Sequence, residues 1–447
     1  MKISKYTFFF DIENTDFYAY NTLSNALIEI DQESYNILHN RIQDEDLSEM
    51  LFDNDLWNAL VTNNILTDNN EDDFLKYKAS IMRMRSQRTG MHLTLAPTMD
   101  CCFRCHYCFE KYKEKKYMTP EVMDRITKYV TSCSDLKNIK ITWFGGEPLM
   151  AVPQIEEFYD KFSAVWKEPV NSNIITTGYH IDKEAVRVMK KVGITFVQIT
   201  LDGMKKTHNE VKHLASGEDV FERVISNIEL LNDLAPEINV TIRVNLTLKN
   251  KHEYAELYKF CQNRFGERRN IGLTPAFVLD RSINVCIENG ILFTHENRSE
   301  FILDLAHKGF DSPFIRYPEP FFNECAVRND MAIAFDPEGY TYKCWEVIGN
   351  KEYAIGKLDK DGILANINEK ILNRQLYGAD TFEDPVCSKC KYLPICNGGC
   401  PIQRIQNKFE KAHNDCCTPY KGFTPDFLKI HIARKKALEV AATEKQQ

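Results

Sequence analysis

"MHLTLAPTMDCCFRCHYCF", residues 91–109, runs from an apolar stretch of strand type straight into a loop with four cysteines in eight positions. Cys101, Cys105 and Cys108 are spaced C-x3-C-x2-C. Three thiolates on one loop give a [4Fe–4S] cluster three ligands and leave its fourth iron open. A structural zinc site wants a fourth Cys or His close by, and Cys102 and His106 could supply one. The loop alone therefore admits both metals, and the rest of the chain has to separate them.

The chain has 447 residues, 43% of them hydrophobic, enough for two or three domains. A formal charge of −8 gives no support for a nucleic-acid partner, whose binder would normally be basic. Lys2 and Lys5 precede only the short run Phe8–Phe10, which Asp11 interrupts, so no signal peptide is expected. No apolar stretch is long enough to span a bilayer, and the expectation is a cytoplasmic protein without a membrane partner. In a reducing compartment the fifteen cysteines point to metal or reactivity rather than disulfides. Eight of them lie from Cys325 onward, while Cys133, Cys261 and Cys286 stand alone. Cys133 and Cys261 sit on helical patterns and are expected to be core residues.

From His92 to about Gly309 strands alternate with helices. The strand candidates are "MHLTLAPT", "NIKITWFGG", "NIITTG", "FVQITLDG", "INVTIRVNLT" and "RRNIGLTPAF". Six such units predict an α/β fold with a parallel sheet, open or curled into a partial barrel, whose chemistry gathers at the carboxyl ends of the strands. Before them, residues 1 to about 75 read as strand, strand and helices, and "KYKASIMRMRSQR" (76–88) as a basic helical linker. Residues 310–425 are rich in cysteine and turn signals, with little periodicity. "FLKIHIARKKALEVAATEKQQ" (427–447) reads as a terminal helix with a frayed tail.

"CCFRCHYCF" resembles the cluster loop of the radical S-adenosylmethionine (SAM) superfamily, with Tyr107 as the aromatic before its third cysteine. Gly145, Gly146 and Glu147 in "WFGGEP" resemble that superfamily's Gly-Gly-Glu turn. There, glycines let backbone approach a ligand and a carboxylate can hold the SAM ammonium. "TTGY" (176–179), "QITLDG" (198–203) with His208, and "IRVNLT" (242–247) are similar to family positions around SAM. The resemblance implies a partial (β/α)6 TIM-like barrel binding SAM through Tyr107, Gly145, Gly146, Glu147, Thr177, Thr200, Asp202, Arg243 and Asn245. It also implies a 5′-deoxyadenosyl radical that takes a hydrogen atom from a substrate.

Toward the carboxyl end, Cys387, Cys390, Cys396 and Cys400 follow C-x2-C-x5-C-x3-C, and Gly339 stands before Cys344 as G-x4-C. The array resembles the SPASM extension of peptide-modifying radical SAM enzymes and implies two auxiliary [4Fe–4S] clusters, three clusters in all. Carried over by position, Cys387, Cys390, Cys396 and Cys417 hold one. Cys325, Cys344 and Cys400 hold the other, with Cys286 a distant candidate for its fourth ligand. Cys417 is preferred to Cys416 because "CTPYKGF" resembles the family's ending better. "YNTLSNALIEIDQESYNIL" resembles the winged-helix-like domain by which maturases of ribosomal peptides grip a precursor's leader. An exposed strand edge could take that leader as an added strand. The alternative is a structural cap on the barrel.

The expected segments are therefore 1–85 (leader recognition), 86–310 (barrel), 311–425 (SPASM) and 426–447 (terminal helix). The expected activity is oxidative formation of a thioether or carbon–carbon crosslink in a precursor peptide bound by its leader. A flavodoxin or ferredoxin would donate electrons one at a time. The nearest rival is an anaerobic sulfatase maturase, making formylglycine. As the family pattern stands, those enzymes carry an aspartate base directly after the cysteine matching Cys344, where this chain has Trp345 and then Glu346, its own candidate base. A non-catalytic iron–sulfur or zinc protein is the remaining alternative.

Overall fold

Every apolar stretch singled out between residues 91 and 277 is a strand. The computed structural model describes residues 1–41, 46–108, 114–214, 216–266, 268, 270–279, 290–310 and 317–444. Cys286 lies outside them. In chain order the strands are β1 (Lys2–Ile3), β2 (Thr7–Ile12), β3 (Asp16–Asn21), β4 (Leu27–Ile30) and β5 (Leu66–Thr67). There follow β6 (Gly90–Leu95), β7 (Asn138–Trp143), β8 (Val170–Thr176), β9 (Ile194–Leu201), β10 (Asn239–Leu246) and β11 (Ile271–Phe277). The last are β12 (Ala332–Phe335), β13 (Tyr340–Tyr342), β14 (Gly356–Leu358) and β15 (Leu364–Ala365).

Strands β6 to β11 pair in sequence order, all parallel, which requires the helical crossovers between them. Their side chains alternate as a pleat demands. Val197, Ile199 and Leu201 of β9 and Val240, Ile242, Val244 and Leu246 of β10 are buried, while Gln198, Thr200, Arg243 and Asn245 take the opposite face. Asp182 and Asp219 cap the crossover helices Lys183–Lys191 and Val220–Leu234 by accepting from Ala185 N–H and Glu222 N–H, worth about 1 kcal/mol each.

Two compact units divide the chain. One comprises Arg85–Phe293 and Cys325–Gly378; the other comprises Met1–Met84, Thr294–Glu324 and Ala379–Gln447. This partition cuts across the four segments read from sequence, for two reasons. Residues after Cys325 extend the barrel sheet: β12 pairs parallel with β6, and β13 to β15 continue from it antiparallel. The sheet thus stays open at β11 and gains four strands at β6. The basic segment 76–88, moreover, is no linker. Helix Asp73–Arg85 buries Tyr77 and Ile81 in a core shared with Tyr6, Phe382 and Leu393.

In that second unit β2, β3 and β4 form an antiparallel sheet followed by helices Gln32–His39 and Asn54–Thr62. The sequence reading missed β2, because its Phe8–Phe10 run lacks alternation. One face of the sheet, Phe8, Phe10, Tyr18 and Tyr20, packs on Leu428 and Ile432 of the terminal helix Thr424–Glu444. Among the described residues no helix is long and apolar enough to cross a membrane.

Candidate active site

The cysteine loop leaves the end of β6, and the turn after β7 holds it. Phe144 N–H donates to Leu95 O (2.9 Å), Gly146 N–H to Thr98 O (3.1 Å) and Glu147 N–H to Asp100 O (2.8 Å). A Cβ on Gly146 would lie 2.1 Å from Asp100 O, and one on Gly145, at φ +110°, 2.5 Å from Thr98 O. The two glycines therefore let the turn press against the root of the cysteine loop, a reason the sequence reading did not give. Phe103 is buried and meets Tyr179 edge-on, with ring centroids 5.5 Å apart.

Cys101, Cys105 and Cys108 line one cavity of about 220 Å³. Around it stand the strand-end residues expected from sequence: Gly145 and Gly146 after β7, Thr177 after β8, Thr200 on β9, Arg243 and Asn245 on β10, and Tyr107 of the loop itself. Thr200 and Arg243 are register partners on adjacent strands. Two expected residues, Glu147 and Asp202, are buried behind the wall rather than in it.

Glu147 is fully buried, and its carboxylate accepts four hydrogen bonds from the chain. Thr176 Oγ1 (2.6 Å) and Leu149 N–H (3.0 Å) donate to one oxygen; Thr177 N–H (2.8 Å) and Thr177 Oγ1 (2.5 Å) donate to the other. It thereby fixes Thr176 and Thr177, which do line the cavity. Asp202 forms a buried ion pair with Lys212 and accepts from Tyr107 OH. The phenol oxygen also receives Lys212 Nζ (3.2 Å) and Asn245 Nδ2 (3.1 Å). Burial, the largest single effect, opposes ionisation of Asp202, but the Lys212 charge together with the hydrogen bonds from Lys212 and Tyr107 holds the carboxyl below its ordinary value. Burial likewise opposes the Lys212 charge, yet Asp202, with the thiolate of Cys105, holds it above its usual range. His208 is pushed down to about 3 by burial and by Lys212, so it is neutral and accepts Asp202 N–H at Nδ1 (3.3 Å).

Lys212 and the apolar wall Phe277, Val278 and Leu279 were missed from sequence, although they line the cavity. The hint for Lys212 was slight: it directly follows the short helix Lys205–Val211, four residues beyond His208. Trp345 and Glu346 come from the turn after β13. Both line the cavity, and Trp345 stacks on Phe144 with centroids 5.7 Å apart.

The carboxyl-terminal cysteines meet in a different setting. Helix Leu393–Cys396 ends in three successive left-handed residues, Asn397, Gly398 and Gly399. A Cβ would lie 1.7 Å from Thr381 Oγ1 at Gly398 and 2.0 Å from Cys416 O at Gly399. Cys396 has the charges of Cys417 and Cys387 near it, and Lys421 has those of Cys417 and Cys390. Cys416 is pushed up to about 12 by burial, with Cys400 as its first charged neighbour. His295, Asp415 and Cys417 also bring ligating atoms within 4.8 Å of one another. Of the other expected set, Cys325 and Cys344 belong to the barrel unit and Cys400 to its companion.

Residues 95–261 match the model of the Radical SAM superfamily. This chain carries a radical SAM domain. It is 22% identical over 457 residues to the "Radical SAM cyclopropyl synthase TigE" of Paramaledivibacter caminithermalis, covering 91% of this chain and 90% of that protein. It is 25% identical over 354 residues to the "Cysteine-type anaerobic sulfatase-maturating enzyme" of Clostridium novyi, covering 72% of this chain and 91% of that one. The solved structure "Native anSMEcpe with bound AdoMet and Cp18Cys peptide" shares the fold, with a TM-score of 0.58 and 18% identity over 79% of this chain and 99% of that one. The chain is thus a radical SAM enzyme related to TigE and to sulfatase-maturating enzymes, and its family implies SAM and a [4Fe–4S] cluster.

Proposed function

We propose that this enzyme oxidatively crosslinks a ribosomally made precursor peptide. The observation that carries the reading is the shared cavity. Three cysteines with cluster spacing, the polar ends of three parallel strands, and Trp345 with Glu346 from the extension all line it. The donor set fits a three-thiolate cluster with SAM, because three soft ligands stand beside hydrogen-bonding groups suited to an amino acid and a ribose. When bound, the pair supplies a 5′-deoxyadenosyl radical that abstracts a hydrogen atom.

The chain's own residues do the rest. Cys101, Cys105 and Cys108 hold the cluster, Arg243 offers a fork of donors to a carboxylate, and Thr200 and Asn245 offer hydrogen bonds to the ribose. Tyr107, pinned by Asp202, Lys212 and Asn245, walls one side. Glu147 orders Thr176 and Thr177 from behind. Glu346 is the candidate base, taking a proton from the peptide as the new bond forms, while the one electron left over would pass to an auxiliary cluster. Cys387, Cys390, Cys396 and Cys417 hold one auxiliary cluster, and Cys325 and Cys344 contribute to another. The leader pairs with an edge of the β2–β4 sheet, and a flavodoxin or ferredoxin delivers electrons in the cytoplasm.

TigE's name describes a carbon–carbon bond-forming enzyme, and its match reaches into the amino-terminal region of this chain, which favours a carbon–carbon product. Formylglycine formation stays as a second reading because a sulfatase-maturating enzyme is among the relatives. Anaerobic incubation with SAM, reductant and a candidate peptide tests the proposal. Mass loss of two hydrogens per crosslink, matched by 5′-deoxyadenosine, supports it; formylglycine in a sulfatase peptide supports the rival. Glu147→Ala should keep its iron and bind SAM more weakly, and unchanged SAM affinity would remove Glu147 from the site.

A further inference from the structure

We propose that Arg404 and Lys421 set the reduction potential of the auxiliary cluster assigned to Cys387, Cys390, Cys396 and Cys417. The inference rests on that assignment. Arg404 Nη1 donates to Cys387 Sγ at 3.3 Å, and Lys421 Nζ donates to Cys417 Sγ at 3.3 Å. Two of the four sulfurs, at the two ends of the ligand set, thus receive an N–H from a cationic side chain. Arg404 is no wandering surface residue. Its Nη2 is held by Asp384 Oδ2 (2.9 Å) and its Nε by Ala379 O (3.1 Å), so the remaining nitrogen is aimed at the thiol.

A four-thiolate cluster takes up one electron and no proton on reduction, so its net negative charge grows by one. Hydrogen bonds to sulfur and nearby positive charge stabilise that more negative state and raise the potential. In the barrel, by comparison, the buried cation Lys212 pairs with Asp202 and donates to Tyr107 OH. The two cations therefore make this cluster easier to reduce than its thiolates alone would, which suits it to receive an electron.

The test is a redox titration of the full chain, reconstituted anaerobically and followed by electron paramagnetic resonance. Lys421→Met keeps the side chain's length and removes its charge. One cluster should show a roughly tenfold lower ratio of reduced to oxidised form at a fixed potential, about 59 mV for a one-electron couple. Lys421→Arg should restore the wild-type value, and Arg404→Gln should shift the same cluster in the same direction. Full iron content with every midpoint unmoved would overturn the proposal alone. Loss of that cluster's iron in Lys421→Met would also overturn it, by making the lysine structural. A wild-type chain that binds the iron of only one cluster would instead overturn the auxiliary-cluster assignment, and this proposal with it.

Discussion

The two cysteine sites are built on opposite principles. In the barrel, the loop bearing Cys101, Cys105 and Cys108 is rooted in a parallel sheet, clamped by backbone bonds from the Gly145–Gly146 turn, and backed by a buried polar network. Between Ala379 and Phe423, Cys387 and Cys396 instead sit on the short helices Cys387–Lys389 and Leu393–Cys396, Cys390 and Cys400 flank short helices, and Cys416 and Cys417 lie in irregular chain. The first scaffold positions its ligands. In the second, the ligands are expected to position the scaffold, so that metal binding there is also folding energy.

Replacing Cys101, Cys105 and Cys108 together by Ala puts this contrast under the greatest strain. SAM cleavage should vanish and about four irons per chain should be lost, with thermal unfolding close to wild type. An iron assay, a 5′-deoxyadenosine assay and a melt check this, and a collapsed melting temperature would break the comparison. Next comes iron removal by a chelator. Residues 379–423 should then open to protease while the barrel strands keep their hydrogen-exchange protection; equal loss in both would mean the barrel loop also leans on metal.

Asp202→Asn should cost about 3–5 kcal/mol, since it leaves Lys212 buried and unpaired. Asp202 titrates below its ordinary value when folded. Its contribution is thus complete above about pH 4 and is lost as pH falls through that depressed value. Denaturant melts across pH should show a gap between wild type and variant that is flat near neutrality and closes in acid. Gly146→Ala is the mildest probe. Overpacking against Asp100 O should cost about 1–3 kcal/mol and weaken SAM binding, and a neutral result would show that the turn can yield.

The barrel was legible because its signal is local. Alternation in "FVQIT" and "VTIRVN" and the cysteine spacing are each readable within a few residues. The family match over 95–261 and the parallel order of β6 to β11 agree with that reading. Lys212 was not legible, since its importance lies in an ion pair with Asp202 across the helix Lys205–Val211 and in a contact with Tyr107, 105 residues earlier in the chain. The extension of the sheet by β12 to β15 was hidden for the same reason. Strands of two to four residues carry almost no periodicity, and β6, the partner through which β12 joins the sheet, lies more than 200 residues away. The helices Glu369–Leu376 and Pro401–Phe409 escaped notice among the surrounding turn residues.

The terminal helix has a practical consequence for anyone who would graft the amino-terminal sheet onto another enzyme. Lys436 Nζ reaches Asp16 Oδ2 at 2.7 Å, and Leu428 and Ile432 complete the apolar layer beneath Phe8, Phe10, Tyr18 and Tyr20. A fragment cut at residue 85 would carry only one half of that layer and leave four aromatic rings wet. A transplantable copy of this sheet must therefore be assembled from both ends of the chain, as a split protein whose halves are stitched together.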